Sequence, residues 1–277
     1  MPVSKLKNLI LLILALATAF LLALVVPLRL SQTHSEQRLH EQLEQLFAAS
    51  GIQLTTQHLP QSRQLCVIEA GGIQTAASTA ATALLGQTVL LEEDSTRYTL
   101  HYTSAAGICS FSPDGSFSAA LTGVTASGAP LSHAKDLLHR MGYEAASIEA
   151  RPRADGGTDI VSTQSVLDVP VLSGTLTLSY DASGALTALT GSFFPADELL
   201  RVGDSVSCSC ADALVALLSR RDTLGWVGSS VTAMTQGFRR ADSASAAARL
   251  TPVWRIDTDA GSFYVSGVTR EVTPAGD

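Results

Sequence analysis

Apolar positions recur along this chain in three different periods, and each period predicts a different kind of element. From Leu9 to Leu28 the apolar residues are continuous, with Thr18 the one polar side chain. At about 1.5 Å of rise per residue, such a helix covers the roughly 30 Å of a bilayer core. From Ser35 the pattern changes to "SEQRLHEQLEQLFAAS", in which Leu39, Leu43, Leu46 and Phe47 recur at helical spacing among Glu and Gln. This spacing predicts an amphipathic helix leading away from the apolar run.

Beyond that helix the chain runs twice through a cycle of helix followed by strands. In the first cycle, "GIQLTTQHLPQSRQLCVIEAGG" reads as a hairpin, with Gly51 ending the preceding helix and Pro60 in the turn. "TAASTAATALLG" reads as a short Ala-rich helix, and "RYTLHYTS", "ICSFSPDG" and "SFSAALTG" as strands joined by turns at Gly107 and at Asp114-Gly115. The second cycle opens on "LSHAKDLLHRMG", with Ser132 as N-cap, Ala134, Leu137, Leu138 and Met141 on one face, and Gly142 closing the helix. Four strands follow, and the last two are "GTLTLSYD" and "ALTALTGSFF". Leu176, Leu178 and Tyr180 alternate there with Thr175, Thr177 and Ser179, as in an antiparallel sheet with one wet face.

The chain then reads as a helix, "CADALVALLSRR", with Ala213, Leu214, Leu217 and Leu218 inward. A strand "SSVTAMTQGF" and a terminal hairpin "LTPVWRIDTDAGSFYVSGVTREV" complete the cycle. In that hairpin Leu250, Trp254 and Ile256 share a face, Asp259, Ala260 and Gly261 turn the chain, and Phe263 and Val265 return it. Trp254 reads as a core residue, and the nearby Pro252 suits a sheet edge. "DGSFSAALTG" at Asp114 echoes "SGALTALTG" at Ser183, which favours two related α+β units over one large sheet.

The pattern therefore predicts an α+β protein: an N-terminal transmembrane helix followed by two domains, each with a helix packed on an antiparallel β-sheet. The expected boundaries are a cytoplasmic tail at 1–8, the anchor at 9–29, a first extracytoplasmic domain at 33–125 and a second at 130–277. A cleaved secretory leader is the competing reading, but the run exceeds the usual 7–15 apolar residues, and "LVVPLRLSQ" has no small-x-small cleavage site. Lys5 and Lys7 precede the run with no acid beside them, which keeps the N-terminus in the cytoplasm and places the rest outside the cell membrane. Ala15, Ala19 and Ala23 recur every four residues and form a small-residue stripe on which a second transmembrane helix could pack.

Charge narrows the partners. With Lys5 and Lys7 set aside, 16 basic residues face 25 acidic ones, a surface that argues against nucleic acid and anionic lipid headgroups.

Candidate chemistry is sparse. His34, His40, His58, His101, His133 and His139 are scattered without metal-ligand spacing, and His133 and His139 read as surface residues. The acidic run Glu92, Glu93 and Asp94 reads as a solvated loop. No serine lies in a nucleophile elbow, no Gly-rich phosphate loop is present, and no cofactor is expected. Outside the membrane disulfides are permitted, and Cys66 and Cys109 lie on predicted strands of the first cycle, where a bridge between neighbouring strands is conceivable. Cys208 and Cys210 form "SCSC" before a helix. Ser209 and Asp212 would cap that helix and place Cys210 in its first turn, where the dipole lowers a thiol pKa. A redox role for this pair is the sharp alternative, though it lacks a CxxC, and a structural role is the plainer reading.

The lysine-flanked anchor, the pair "VSTQSVLDVPVLSGTLTLSYDASGALTALTGSFF", the helix "CADALVALLSRR" and the terminal "LTPVWRIDTDAGSFYVSGVTREV" together resemble the YycI-type regulatory proteins of Gram-positive bacteria. The same stretches are similar to PepSY-like modules more widely. The likeness covers Leu131 to Val272, and the first cycle in outline. It implies a non-enzymatic, single-pass accessory protein that associates with a YycH-like protein and a sensor histidine kinase of the WalK (YycG) type to adjust signalling in cell-wall metabolism. The alternative it leaves open is an extracytoplasmic binding or peptidase-inhibitor module without a kinase partner.

Overall fold

The computed structural model of the chain describes residues 37–56, 59–71, 73–86, 90–94, 98–125, 128–195, 198–241 and 248–275. The expected anchor at 9–29, with Ala15, Ala19 and Ala23, lies outside them. Among the described residues no helix is long and apolar enough to cross a membrane.

Three stretches of the chain repeat one plan, a helix followed by a four-stranded antiparallel meander. After α1 (residues 37–49), β1 (Gln53–Leu54) and β2 (Cys66–Gly71), the first copy is α2 (Gln74–Leu85) with β3 (Leu90–Asp94), β4 (Thr99–Ser104), β5 (Gly107–Phe111) and β6 (Ser116–Thr125). The second is α3 (Pro130–Arg140) with β7 (Ala145–Pro152), β8 (Thr158–Val166), β9 (Val169–Tyr180) and β10 (Ala185–Ser192). After β11 (Glu198–Val206) comes the third: α4 (Cys210–Ser219), the short α5 (Arg221–Leu224), β12 (Ser230–Arg240), β13 (Arg249–Thr258), β14 (Gly261–Ser266) and β15 (Val272–Pro274).

The plan repeats because the same spacing is buried in each helix. Ala77, Ala80, Ala81 and Leu84 in the first copy match Ala134, Leu137, Leu138 and Met141 in the second and Cys210, Ala213, Leu214 and Leu217 in the third, all of them buried. Positions i, i+3, i+4 and i+7 form one helical face, and a sheet can cover only one face. Burying each Leu on that face is worth about 1.5–3 kcal/mol. The predicted capping box on α4 is present, with the Ser209 side chain accepting from Asp212 N and the Asp212 carboxylate accepting from Ser209 N. On α3 the expected N-cap Ser132 is not the cap: Ala129 is, with Pro130 in the first turn, where its missing N–H costs nothing.

The first two copies join edge to edge into one sheet of order β3-β4-β5-β6-β10-β9-β8-β7. The two echoing sequences are the central pair, β6 and β10, running antiparallel with Ser118 opposite Thr190. Their preceding turns are built alike. Gly115 N donates to Ser112 O and Gly184 N to Asp181 O, and both glycines hold left-handed φ near 86° and 81°. Phe111, Cys109, Leu178 and Tyr180 therefore occupy matched places beneath α2 and α3.

The second sheet gathers β2, β11 and the third copy, in the order β11-β2-β13-β12, with β14 and β15 continuing from β13. On it lie α1 and α4. Leu43, Phe47, Leu214, Trp254 and Ile256 share this core, and Trp254 is fully buried with Nε1 donating to Cys208 O at 3.1 Å. The terminal hairpin is as expected, with Trp254 opposite Val265 and Ile256 opposite Phe263. The two sheets meet where β12 and β9 run parallel at Phe238 and Val171, over a third core that includes Val166, Phe194 and Leu250.

The α+β class holds, while several expectations are corrected. The strands do not group as 33–125 and 130–277: β6 pairs with β10 across that boundary, and β2 pairs with β11 and β13. Residues 74–192 form one unit nested within another built from 37–71 and 198–274, and the chain leaves through β2 and returns through its neighbour β11. The expected hairpin at residues 51–72 does not form, because β1 pairs in parallel with β12 and β2 pairs elsewhere. Glu92, Glu93 and Asp94 lie on strand β3 rather than in a loop. Pro252 is not at an edge: β13 is flanked by β12 and β14. It is tolerated because it faces Gly267, just past the end of β14, where only its carbonyl is used, accepting from Gly267 N at 2.8 Å.

Candidate functional site

The nesting creates a cleft of about 590 Å³ where the two units meet. One wall is Thr79 and its neighbours on α2, and the floor is Met141 with Phe193 and Phe194, which leave β10. The opposite rim is the β8–β9 turn at Leu167 and Asp168, and Leu199 of β11 closes the far side. Apart from Phe194 and Leu199, these segments are distant in sequence.

A single buried amide sets the floor. Gln164, 5% exposed, accepts from Phe194 N at 2.9 Å through Oε1 and donates to Phe194 O at 3.3 Å through Nε2. It stands in for a missing neighbouring strand and satisfies both backbone groups of a buried residue. Nearby, Ser165 N donates to Glu144 O at 2.6 Å, joining the rim to the segment that enters β7.

The rim is strained. A two-residue loop joins β8 to β9 with Val166 opposite Val169, and both central residues have positive φ, 53° at Leu167 and 57° at Asp168. That conformation usually takes Asn-Gly or a similar pair. Aspartate tolerates it; leucine loses about 1–2 kcal/mol. Leu167 is nonetheless 55% exposed, so its side chain gains little from the core in return. Arg63 braces the turn from outside, its Nη1 donating to Asp168 O at 2.9 Å.

Leu199 is also exposed, so the cleft presents two large apolar side chains to solvent. Its ionisable lining, among the described residues, is Glu144 and Asp168, both acids. The site offers apolar contact beside negative charge, an arrangement suited to binding.

The residues singled out from sequence lie elsewhere. Cys66 on β2 and Cys109 on β5 are free thiols and belong to different sheets, so the bridge between neighbouring strands is not formed: β2 pairs with β11 and β13, and β5 with β4 and β6. Cys208 and Cys210 are free and buried in the core beside Trp254, with Cys210 Sγ 3.6 Å from Met234 Sδ. Burial pushes the Cys210 thiol up to about 12 and raises Cys208 too, so desolvation outweighs the helix dipole expected to lower it.

His133 is not at the surface. It is 9% exposed, with Nδ1 2.9 Å from Tyr180 Oη, and burial, followed by the charge of Arg140, lowers its pKa. Its placement one residue before Ala134 on the buried face allows this, and Tyr180 supplies the partner that makes burial affordable. His139 is exposed, as expected, and His101 Nδ1 lies 2.8 Å from Ser110 Oγ. His34 and His58 lie outside the described residues. No group of three or more His, Cys, Asp or Glu among the described residues is arranged to hold a metal.

No family model matches the chain, and no curated protein does. Among solved structures, the chain is similar to an uncharacterized protein from Eubacterium rectale, at 10% identity and a TM-score of 0.47, covering 81% of this chain and 90% of that one. It is also similar to the Bacillus megaterium YpeB C-terminal domain, at 10% identity and a TM-score of 0.38, covering 75% of this chain and 99% of that one.

Proposed function

We propose that the chain is a membrane-anchored extracytoplasmic regulator that acts by binding other proteins rather than by catalysis. Its partners are a sensor histidine kinase of the WalK (YycG) type and a YycH-like protein, and its effect is on two-component signalling in cell-envelope homeostasis. The observation that carries this reading is the seating of α1, the helix that follows the apolar run. Leu43 and Phe47 are buried with Leu214 and Trp254, and Arg221 Nη1 donates to Ser50 O at 2.6 Å at the end of the helix. A helix held in this way moves with the second sheet, as a regulator coupled to an anchor requires. Its other apolar residues, Leu39 and Leu46, remain exposed, seven residues apart on one side, and are available to a neighbouring helix.

A second reading, an extracytoplasmic PepSY-like binding or peptidase-inhibitor module without a kinase, is favoured by the cleft, which needs no anchor to work. Crosslinking in host membranes followed by purification through a C-terminal tag separates the two. Recovery of a sensor kinase that is lost when the anchor is exchanged supports the first reading; recovery of a peptidase supports the second. Leucine at Ala15 and Ala19 is expected to weaken kinase recovery, and unchanged recovery removes that stripe from the contact.

A further inference from the structure

We infer that the cleft between the nested units binds an extended polypeptide segment of a partner, one that alternates apolar side chains with lysine or arginine. The inference rests on reading the chain as a protein-binding module, and not on the identity of any kinase.

Three observations converge on this occupant. The first is room: at about 590 Å³ the cleft can receive several side chains. The second is the apolar display. Leu167 and Leu199 are 55% and 40% exposed, and they face the cleft with Phe194 and Met141 beneath them. Exposed apolar groups clustered in a concavity mark contact surfaces, whereas isolated ones do not.

The strain at Leu167 strengthens the point. Glycine or asparagine would relieve the positive φ, yet a leucine occupies the position and directs its side chain away from the cores. Backbone strain retained without compensating burial is found where a side chain is held out for a ligand.

The third observation is charge. Glu144 and Asp168 are the ionisable lining among the described residues, so the cleft is complementary to a cation. Arg63, which reaches the turn from outside, donates to the Asp168 carbonyl, so its charge offsets part of that of Asp168, while Glu144 lines the cleft as well. An acidic segment would meet two carboxylates, and a wholly apolar one would leave them desolvated without a partner.

The test uses the full chain in phosphatidylcholine nanodiscs and two fluorescein-labelled peptides, acetyl-Leu-Lys-Leu-Lys-Leu-amide and its counterpart with glutamate in place of lysine, with empty nanodiscs as the blank. Fluorescence anisotropy should show saturable binding of the lysine peptide, with the glutamate peptide weaker by about tenfold or more. Asp168→Asn combined with Glu144→Gln should abolish that discrimination. Both changes leave the fold intact, since Asn also accepts positive φ and Glu144 is exposed. Leu167→Gly should weaken binding about tenfold while the melting temperature stays level or rises, because the turn favours glycine. Equal binding of the two peptides, no binding of either, or parental binding by these variants would overturn the inference. Recovery of a kinase from membranes alongside any of those results leaves the regulatory reading standing with its contact elsewhere. Peptide binding without kinase recovery leaves the cleft standing without that partner.

Discussion

Gln164 and Phe194 exchange two hydrogen bonds, the side-chain amide of one pairing with the backbone N–H and C=O of the other, at a place where both are buried. The pair links strand β8 to the segment leaving β10 and so fixes the floor of the cleft. Gln164→Met keeps the volume and removes both partners, stranding two buried backbone groups at about 1–3 kcal/mol each. Urea unfolding should show a loss of roughly 2–6 kcal/mol with little change in slope. A loss well below that range would mean that Phe194 finds other partners.

The repeat supplies an internal control. Gly115 and Gly184 hold equivalent turns with nearly the same φ, but a side chain added at Gly115 would fall inside the Phe194 ring, whereas one at Gly184 meets nothing within 4 Å. Gly184→Ala should cost about 1–2 kcal/mol from backbone strain alone. Gly115→Ala should cost a further 1–3 kcal/mol or so, as the ring is forced to move. Equal losses would show that Phe194 is not fixed against the turn.

Alkaline pH should unfold the protein early. Burial holds the Cys109 and Cys210 thiols up to about 12 against an ordinary 9.0, and it raises Tyr143 and Tyr180 as well. The unfolded chain releases these protons first, so the stabilisation is complete below about pH 9 and is lost as pH rises from there toward 12. The two thiols alone should make the protein roughly 3 kcal/mol less stable at pH 10 than at pH 7.5, as measured by denaturant unfolding. Stability that stays flat to pH 10 contradicts the burial of both thiols.

The same burial bears on the redox alternative. Thiolate, not thiol, reacts with N-ethylmaleimide, so Cys109 and Cys210 should resist labelling at pH 8 in the native protein and react fully in urea, as read by peptide mass spectrometry. Fast native labelling of Cys210 would bring a redox role back.

Much of the local structure was legible in the sequence. The face of α3 and three of the four inward residues of α4 follow from apolar spacing, with Cys210 buried where Leu218 was expected, and the capping box at Ser209 and Asp212 is a local pattern with a local cause. The echo between Asp114 and Ser183 marks two copies of the same turn and strand, but not two separate sheets: β6 and β10 pair with each other at the centre of one sheet. Partner choice was not legible. Cys66–Gly71 reads as half of a hairpin, but its pairing with β11 and β13 depends on residues more than 120 positions away. The strand Glu198–Val206 carries little signal in the sequence because its alternation is broken by Gly203, and the nesting of the units rests on that strand. His133 reads as a surface residue because helical position alone does not reveal Tyr180, 47 residues later. The cleft was invisible for the same reason, although Leu167-Asp168, two residues without glycine between two strands, was the local clue that a turn was strained.

The central claim, that this is a protein-binding module which engages its partner through its cleft, is most directly tested by photocrosslinking in living cells. A photoreactive phenylalanine analogue at position 199, inside the cleft, is compared with one at position 227, where Val227 is 87% exposed and outside it. The account predicts that position 199 captures a partner protein through a segment that carries lysine or arginine between apolar residues, that position 227 does not, and that Leu167→Gly diminishes the capture. Equal capture at both positions, or capture at 227 alone, would contradict it.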